Sequence, residues 1–211
     1  MVNYMELSEA QISAVRHNTG PALVIAGPGS GKTTVITNRV RTLIDEYNVN
    51  PSNILVITFS RAAAMEMKDR FVKMTDACGA MVTFGTFHAV YFMILKHSCR
   101  YKPDCIITPK RQGIIIEQLA VRHGVEYEDE SEFISAFLSE ISHVKNTGLD
   151  IHEFCSSICP SEIFRDIFME YNRQLSVLGL IDFDDMLADC YKLLVSRDDI
   201  RHIWQEKYRY I

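Results

Sequence analysis

The chain has 211 residues, of which 47% are apolar and 23% charged, a balance that fits a globular protein of one large or two small domains and excludes a low-complexity or disordered chain. A formal charge of −5 excludes a global electrostatic pull toward nucleic acid, so any such binding must be local. No apolar run reaches the roughly 18 to 20 residues of a membrane span; the richest, Phe87 to Leu95, reads as a buried helix, and the expected location is the cytoplasm.

In chain order, Ser8-Glu9-Ala10-Gln11 is a capping box that opens a short helix, with Ser8 as N-cap and Gln11 at the third helical position. The apolar run Ala22–Ala26 predicts a strand. It leads into Ala26-Gly27-Pro28-Gly29-Ser30-Gly31-Lys32-Thr33, the phosphate-loop pattern G-x-x-x-x-G-K-T with Ala26 in its first place, and then into a helix predicted over Thr33–Glu46. Backbone N–H groups can wrap a polyphosphate only where no Cβ intervenes and positive φ is cheap, which is why the loop is built of glycine. Lys32 offers a point charge to the β- and γ-phosphates, Thr33 a hydroxyl to Mg²⁺, and the helix from Thr34 its positive end. A nucleoside triphosphate held with Mg²⁺ is the expected ligand of Ala26 through Thr34. The bland alternative is a glycine-rich turn.

Two more strands are predicted at Ile54–Thr58 and Met81–Phe84, each followed by a helix, Arg61–Thr75 and Thr86–His97. This βαβα alternation predicts an α/β fold with a parallel sheet and ligands at the carboxyl ends of its strands. Beyond His97 the chain reads as helices, Lys110–His123, Ser131–Lys145, Ser161–Leu178 and Phe183–Ser196, separated by the breakers Pro103, Pro109, Gly124, Gly148 and Pro160. Ile106-Ile107-Thr108 is a candidate short edge strand, and β character resumes only at Tyr208–Ile211. The expected organisation is an α/β domain over 1–97, an all-helical insertion over 98–181, and the α/β domain resumed over 182–211, cut from something longer just as a strand begins.

Lys96, Arg100, Lys102, Lys110 and Arg111 form a basic stretch, and Glu126 to Glu132 an acidic one; both read as solvated surface, with the basic stretch the better candidate for a function. Cys78, Cys99, Cys105, Cys155, Cys159 and Cys190 lack CxxC pairing and read as free thiols. Cys155 and Cys159, four apart, suit one helical face, but a metal role needs two further ligands that the sequence does not supply.

Four segments together resemble the UvrD/Rep/PcrA-like superfamily 1 DNA helicases. They are Leu7-Ser8-x-x-Gln11, Ala26 to Thr33, Ile57-Thr58-Phe59-Ser60-Arg61-Ala62-Ala63-Ala64-Met65-Glu66-Met67, and Thr83-Phe84-Gly85-Thr86-Phe87-His88. A fifth, Leu180 to Leu187, is similar to the family's helix leading back into the motor domain. The resemblance implies a RecA-like P-loop domain that uses ATP and Mg²⁺. It implies that Gln11 reads the adenine edge and that Arg39 stacks on the base. By residue type alone Gln11 also serves as capping-box partner, and Arg39 as a solvated helix residue. It further implies that Thr58, Phe59, Ser60, Arg61, Thr86, Phe87 and His88 contact single-stranded DNA, for which aromatics beside hydroxyls and cations are suited. Plain core positions for Phe59 or Phe87, and a buried histidine at 88, are the alternatives. The family commonly has asparagine-lysine where this chain has Arg61-Ala62, so the cationic contact is displaced by one residue.

The family's Asp-Glu pair, which holds Mg²⁺ and positions the attacking water, follows a strand like Tyr208-Arg209-Tyr210-Ile211 and is not among these residues; nor is the second motor domain with its arginine fingers. Val177-Leu178-Gly179-Leu180-Ile181-Asp182 imitates a strand ending in such an acid, against which Asp182 and Asp185 fit a helix N-cap and first turn. The expected activity of the intact protein is 3′ to 5′ translocation on single-stranded DNA with unwinding at duplex junctions, in repair, replication or recombination. This chain alone is expected to bind nucleotide weakly, to hydrolyse almost none, and to expose a sheet edge open to self-association. The alternatives are a nucleotide-independent single-stranded DNA-binding module of a helicase–nuclease subunit and, more remotely, a P-loop small-molecule kinase.

Overall fold

A computed structural model of the chain describes residues 7–75, 81–99 and 101–211; Cys78 and Arg100 lie outside them. The described residues form two compact units. One holds the residues up to Val90 together with Asp199–Ile211, the other Tyr91–Asp198. The expected boundaries were 97/98 and 181/182.

In the first unit, helix α1 (Glu9–Arg16) starts on the capping box, Ser8 accepting from Gln11 N at 3.3 Å and Gln11 Oε1 from Ser8 N at 2.8 Å. Helix α2 (Lys32–Asp45) leaves the glycine loop. Strands β1 (Leu55–Thr58) and β2 (Thr83–Thr86) pair in parallel, Leu55 opposite Thr83 and Thr58 opposite Thr86. Helix α3 (Arg61–Met74) makes the crossover between them, as parallel pairing requires. Val40 and Leu43 from α2, Ile54 and Val56 around β1, Met67 and Phe71 from α3, and Val82 form the core. Helix α9 (Asp198–Lys207), which the sequence reading missed, buries Ile200 and Trp204, four apart on one face. It delivers Tyr210 to a single parallel bridge with Ile54, Leu55 N donating to Tyr210 O at 2.8 Å.

One expected strand is corrected. Ala22–Ala26 has no strand partner among the described residues, and Leu23, Val24 and Ile25 are 87%, 55% and 90% exposed. An apolar run has strand propensity, but a strand exists only where a neighbour takes its N–H and C=O groups. The observed class is therefore mixed α/β with a small two-stranded parallel sheet and mostly helices.

The second unit is helical. Helix α4 (Phe87–Cys99) leads in, followed by α5 (Pro109–Arg122), α6 (Glu130–Thr147), α7 (Ser161–Leu178) and α8 (Phe183–Ser196). Ile116 and Leu119 from α5, Phe137 and Ile141 from α6, and Phe164, Ile167 and Tyr171 from α7 form its core at 0–1% exposure. The expected edge strand at Ile106–Thr108 reduces to one parallel bridge, Ile106 with Ile181. Among the described residues no helix is long and apolar enough to cross a membrane.

Candidate nucleotide and nucleic-acid site

The glycine loop curls around open space. Gly29 and Gly31 stand at φ +73° and +80°, where a Cβ is strained, and a Cβ built on Gly27 or Gly29 meets nothing within 4 Å. Gly27 O gathers three donors: Ser30 N at 3.4 Å, Ser30 Oγ at 2.7 Å and Lys32 Nζ at 2.7 Å, with Lys32 Nζ also 3.4 Å from Ala26 O. The lysine ammonium thus sits inside the curl. Gly31 is the N-cap of α2 and has no side chain to give, and no acid occupies the helix's first turn. A helix start with unclosed amides, an adjacent ammonium and no carboxylate has the donors and the charge that suit an anion.

Beside the loop lies a cavity of about 740 Å³, whose wall includes Gln11, Ala26, Gly27, Ser30, Lys32 and Arg39. Of the residues expected to hold nucleotide, these six face the cavity, while Pro28, Gly29, Gly31, Thr33 and Thr34 form the loop tip and helix start beside it. Gln11 bridges the two parts, its Nε2 donating to Ser30 O at 3.0 Å while its Oε1 is held by Ser8 N. A Cβ on Gly31 would come within 3.0 Å of that nitrogen. Arg39 is turned onto the end of α1, its Nη1 donating to His17 O and, at 3.4 Å, to Ala14 O. Burial pulls the Arg39 guanidinium below its ordinary value, opposed by Tyr47 and Tyr210. Apolar wall is supplied by Pro21, Ala22, Val24, Val35 and Ile36, a suitable surround for a planar base. Among the described residues no acid lines the cavity, and no group of three or more His, Cys, Asp or Glu could hold a metal ion. On this chain Thr33, at the mouth of α2, is the candidate Mg²⁺ ligand, beside the phosphates that a substrate would bring.

The second set of expected residues meets elsewhere in the same unit. Because β1 and β2 are parallel and in register, Thr58 and Thr86 end side by side and the chain leaves both strands toward helices. Ser60 caps α3, accepting from Ala63 N at 3.1 Å, and Thr86 Oγ1 accepts from Ala89 N at 3.2 Å. Phe59 is 93% exposed, which removes the reading of it as core, and its ring lies 5.6 Å from that of Phe87 at 54°. Arg61 opens α3 and is exposed; His88, in the first turn of α4, is half-buried. None of these seven lines the cavity at the glycine loop.

Asp182 is not a metal-side acid on a strand. Helix α7 runs to Leu178 and ends on Gly179, and Asp182 is the N-cap of α8 in a reciprocal capping box with Asp185. Lys145 Nζ reaches both carboxylates at 2.7 Å, and Tyr171 Oη donates to Asp182 at 3.2 Å. Burial raises the pKa of Asp185, against the opposing pull of Lys145. Sequence reasoning reads Asp182 and Asp185 as N-cap and first turn but misses Lys145 and Tyr171 beside them, and equally His17 at the end of α1 and Tyr47, which reaches that end, since none of these four lies in a recognisable motif. An i,i+4 spacing does announce α9 through Ile200 and Trp204.

The family model described as UvrD/REP helicase N-terminal domain matches residues 7–211, so the chain belongs to the UvrD/REP helicase family through its N-terminal domain. Among similar proteins, the ATP-dependent DNA helicase PcrA of Staphylococcus aureus (strain Mu50) is 31% identical over 219 residues, covering 100% of this chain and 29% of that protein. The putative ATP-dependent DNA helicase YjcD of Bacillus subtilis (strain 168) is 32% identical, covering 97% of this chain and 28% of YjcD. The chain thus spans under a third of the length of these relatives.

Proposed function

We propose that this chain is the ATP-binding, RecA-like part of an ATP-dependent DNA helicase, its motor domain interrupted by the helical unit. What carries the reading is the glycine loop opening, without a side-chain cap, onto α2 beside a cavity wide enough for a nucleoside. In this reading the loop amides and Lys32 hold the triphosphate, Thr33 a Mg²⁺ ion, Gln11 the adenine edge, and Arg39 flanks the base. Phe59 and Phe87, with Thr58, Ser60, Arg61, Thr86 and His88, grip single-stranded DNA by stacking and phosphate contact. The intact protein steps 3′ to 5′ along one strand and opens duplex at the junction, serving repair, replication or recombination in the cytoplasm. With no acid among the described residues of the cavity wall, this chain alone binds ATP·Mg²⁺ weakly and turns over almost none; a second motor domain and an Asp-Glu pair complete the site.

The experiment is equilibrium binding of a fluorescent ATP analogue and of labelled oligo(dT) to the chain. Expected are nucleotide binding lost in Lys32→Ala and DNA binding weakened in Phe59→Ala. Measurable ATP turnover by this chain, sensitive to Lys32→Ala, would overturn the assignment of hydrolysis to residues elsewhere. A second reading, a DNA-binding module indifferent to nucleotide, is favoured by the separation of the aromatic pair from the cavity wall. It gains if salt-dependent oligo(dT) binding survives Lys32→Ala, ignores ATP, and falls in Arg61→Ala.

A further inference from the structure

Helix α1 is eight residues long, too short to stand on propensity alone, and buries a single side chain, Val15; its placement comes from lying along α2. Its amino end is closed by the Ser8–Gln11 box and tied to the loop through Gln11 Nε2 and Ser30 O. Its carboxyl end has no glycine cap; the chain leaves through His17 at φ −58°, ψ 120°. The last carbonyls are taken instead by two side chains, Arg39 from the middle of α2 and Tyr47 from just past its end. Arg39 Nη1 donates to Ala14 O and His17 O, and Tyr47 Oη donates to Arg16 O at 2.9 Å.

Tyr47 is itself firmly placed. Its N–H donates to Thr42 O at 3.2 Å, Asn48 turns the chain at φ +54°, and Val49 N donates to Leu43 O at 2.9 Å, which folds the segment back onto α2. The Tyr47 ring packs against the first unit's core and does not line the cavity.

We propose that Tyr47 is a positioning residue that, together with the cavity-lining Arg39, clamps the carboxyl end of α1 and thereby sets where Gln11 meets a nucleobase, making base selectivity a property of the α1–α2 clamp. Tyr47 holds Arg16, five residues and about 7.5 Å along the helix from Gln11, at a rise of about 1.5 Å per residue. Released at that end, α1 pivots about Val15 and carries the Gln11 amide out of register, while the phosphate loop, held by α2, is left as it was. This rests on the nucleotide reading above and extends it, because a residue that never touches the ligand decides which ligand is preferred.

The test uses Tyr47→Phe, which deletes one hydroxyl outside the cavity, with Arg39→Lys and Gln11→Ala beside it. Competition by ATP, GTP and inorganic tripolyphosphate against a fluorescent nucleotide is measured for each. Tyr47→Phe is expected to lower the ATP-over-GTP preference about three- to fivefold, as loss of one hydrogen bond would, with tripolyphosphate competition unchanged. Added to Gln11→Ala, it should have no further effect. In the nucleotide-free chain, amide exchange over Ile12–Arg16 should quicken about fivefold in Tyr47→Phe while α2 stays protected. Unchanged exchange in α1, or full base preference retained in Tyr47→Phe while Arg39→Lys loses it, overturns the clamp and leaves Arg39 acting by contact. If the unaltered chain competes for neither nucleotide nor tripolyphosphate, the nucleotide reading itself falls, and the inference with it.

Discussion

Two helix starts in this molecule look alike as sequence and are opposites as structures. Both α2 and α8 follow an apolar stretch with glycine, Val24-Ile25-Ala26-Gly27 before one and Leu178-Gly179-Leu180-Ile181 before the other. At α8 Asp182 closes the Asp185 amide, Asp185 accepts from the Asp182 N–H in return, Lys145 bonds to both carboxylates, and Asp182 is 2% exposed. At α2 Gly31 offers nothing, the first turn lacks acid, and the loop before it stands in solvent. The start of α8 has satisfied itself from within its own chain; the start of α2 has no side-chain cap and stays open. An open helix start is informative about binding only because the closed one shows what the same chain does when a helix merely needs to begin.

The comparison can be broken at either end, and the largest effect is expected at the closed one. Lys145→Met leaves two carboxylates facing each other with one of them fully buried, and should cost the helical unit about 3–5 kcal/mol, read as a drop in urea midpoint. A loss under about 1 kcal/mol would show that the cluster is not what closes α8. Next comes Gly31→Ala at the open start. A Cβ there takes on positive φ and presses on Gln11 Nε2, for about 1–2 kcal/mol of destabilisation and weaker binding of triphosphate in competition assays. Unaltered thermal stability in that variant would contradict the left-handed geometry of the loop. The smallest effect sharpens the electrostatics. Because Asp185 is harder to ionise in the fold than in the unfolded chain, its contribution favours the fold most below its ordinary pKa of 3.8 and is lost as pH climbs through the raised folded value. Asp185→Asn should therefore flatten the fall in stability over that interval, seen in urea midpoints measured from pH 3.5 upward; a pH profile parallel to the unaltered chain's would remove burial as the dominant influence on that carboxyl.

Much of the architecture was legible where local rules suffice. Helices Ser161–Leu178 and Phe183–Ser196 fall at their predicted ends because Pro160, Gly179 and the Asp182 cap are punctuation that needs no tertiary context. The glycine loop was legible for the same reason, its positive-φ positions being ones that glycine alone fills cheaply. The segment Leu23-Val24-Ile25 was misread because period and propensity state what a stretch prefers and not whether another strand lies beside it. The Lys145 cluster was illegible because its members are 37 and 40 residues apart along the chain, and only packing of α6 on α8 brings them within hydrogen-bond reach. At the cavity, Gln11 was found through its capping box, yet its second bond, to Ser30 O, depends on a contact across 19 residues that no spacing rule encodes. The exposure of Phe59 was likewise open until the ends of β1 and β2 were seen together.

The register of β1 against β2 has a consequence for how such a chain tolerates change. The spacing of Phe59 and Phe87 is set by the ladder at whose ends they stand, and not by the length of chain between the strands. A single residue inserted within either strand instead turns each side chain beyond it to the opposite face. The aromatic pair is thus gauged by four rungs of backbone.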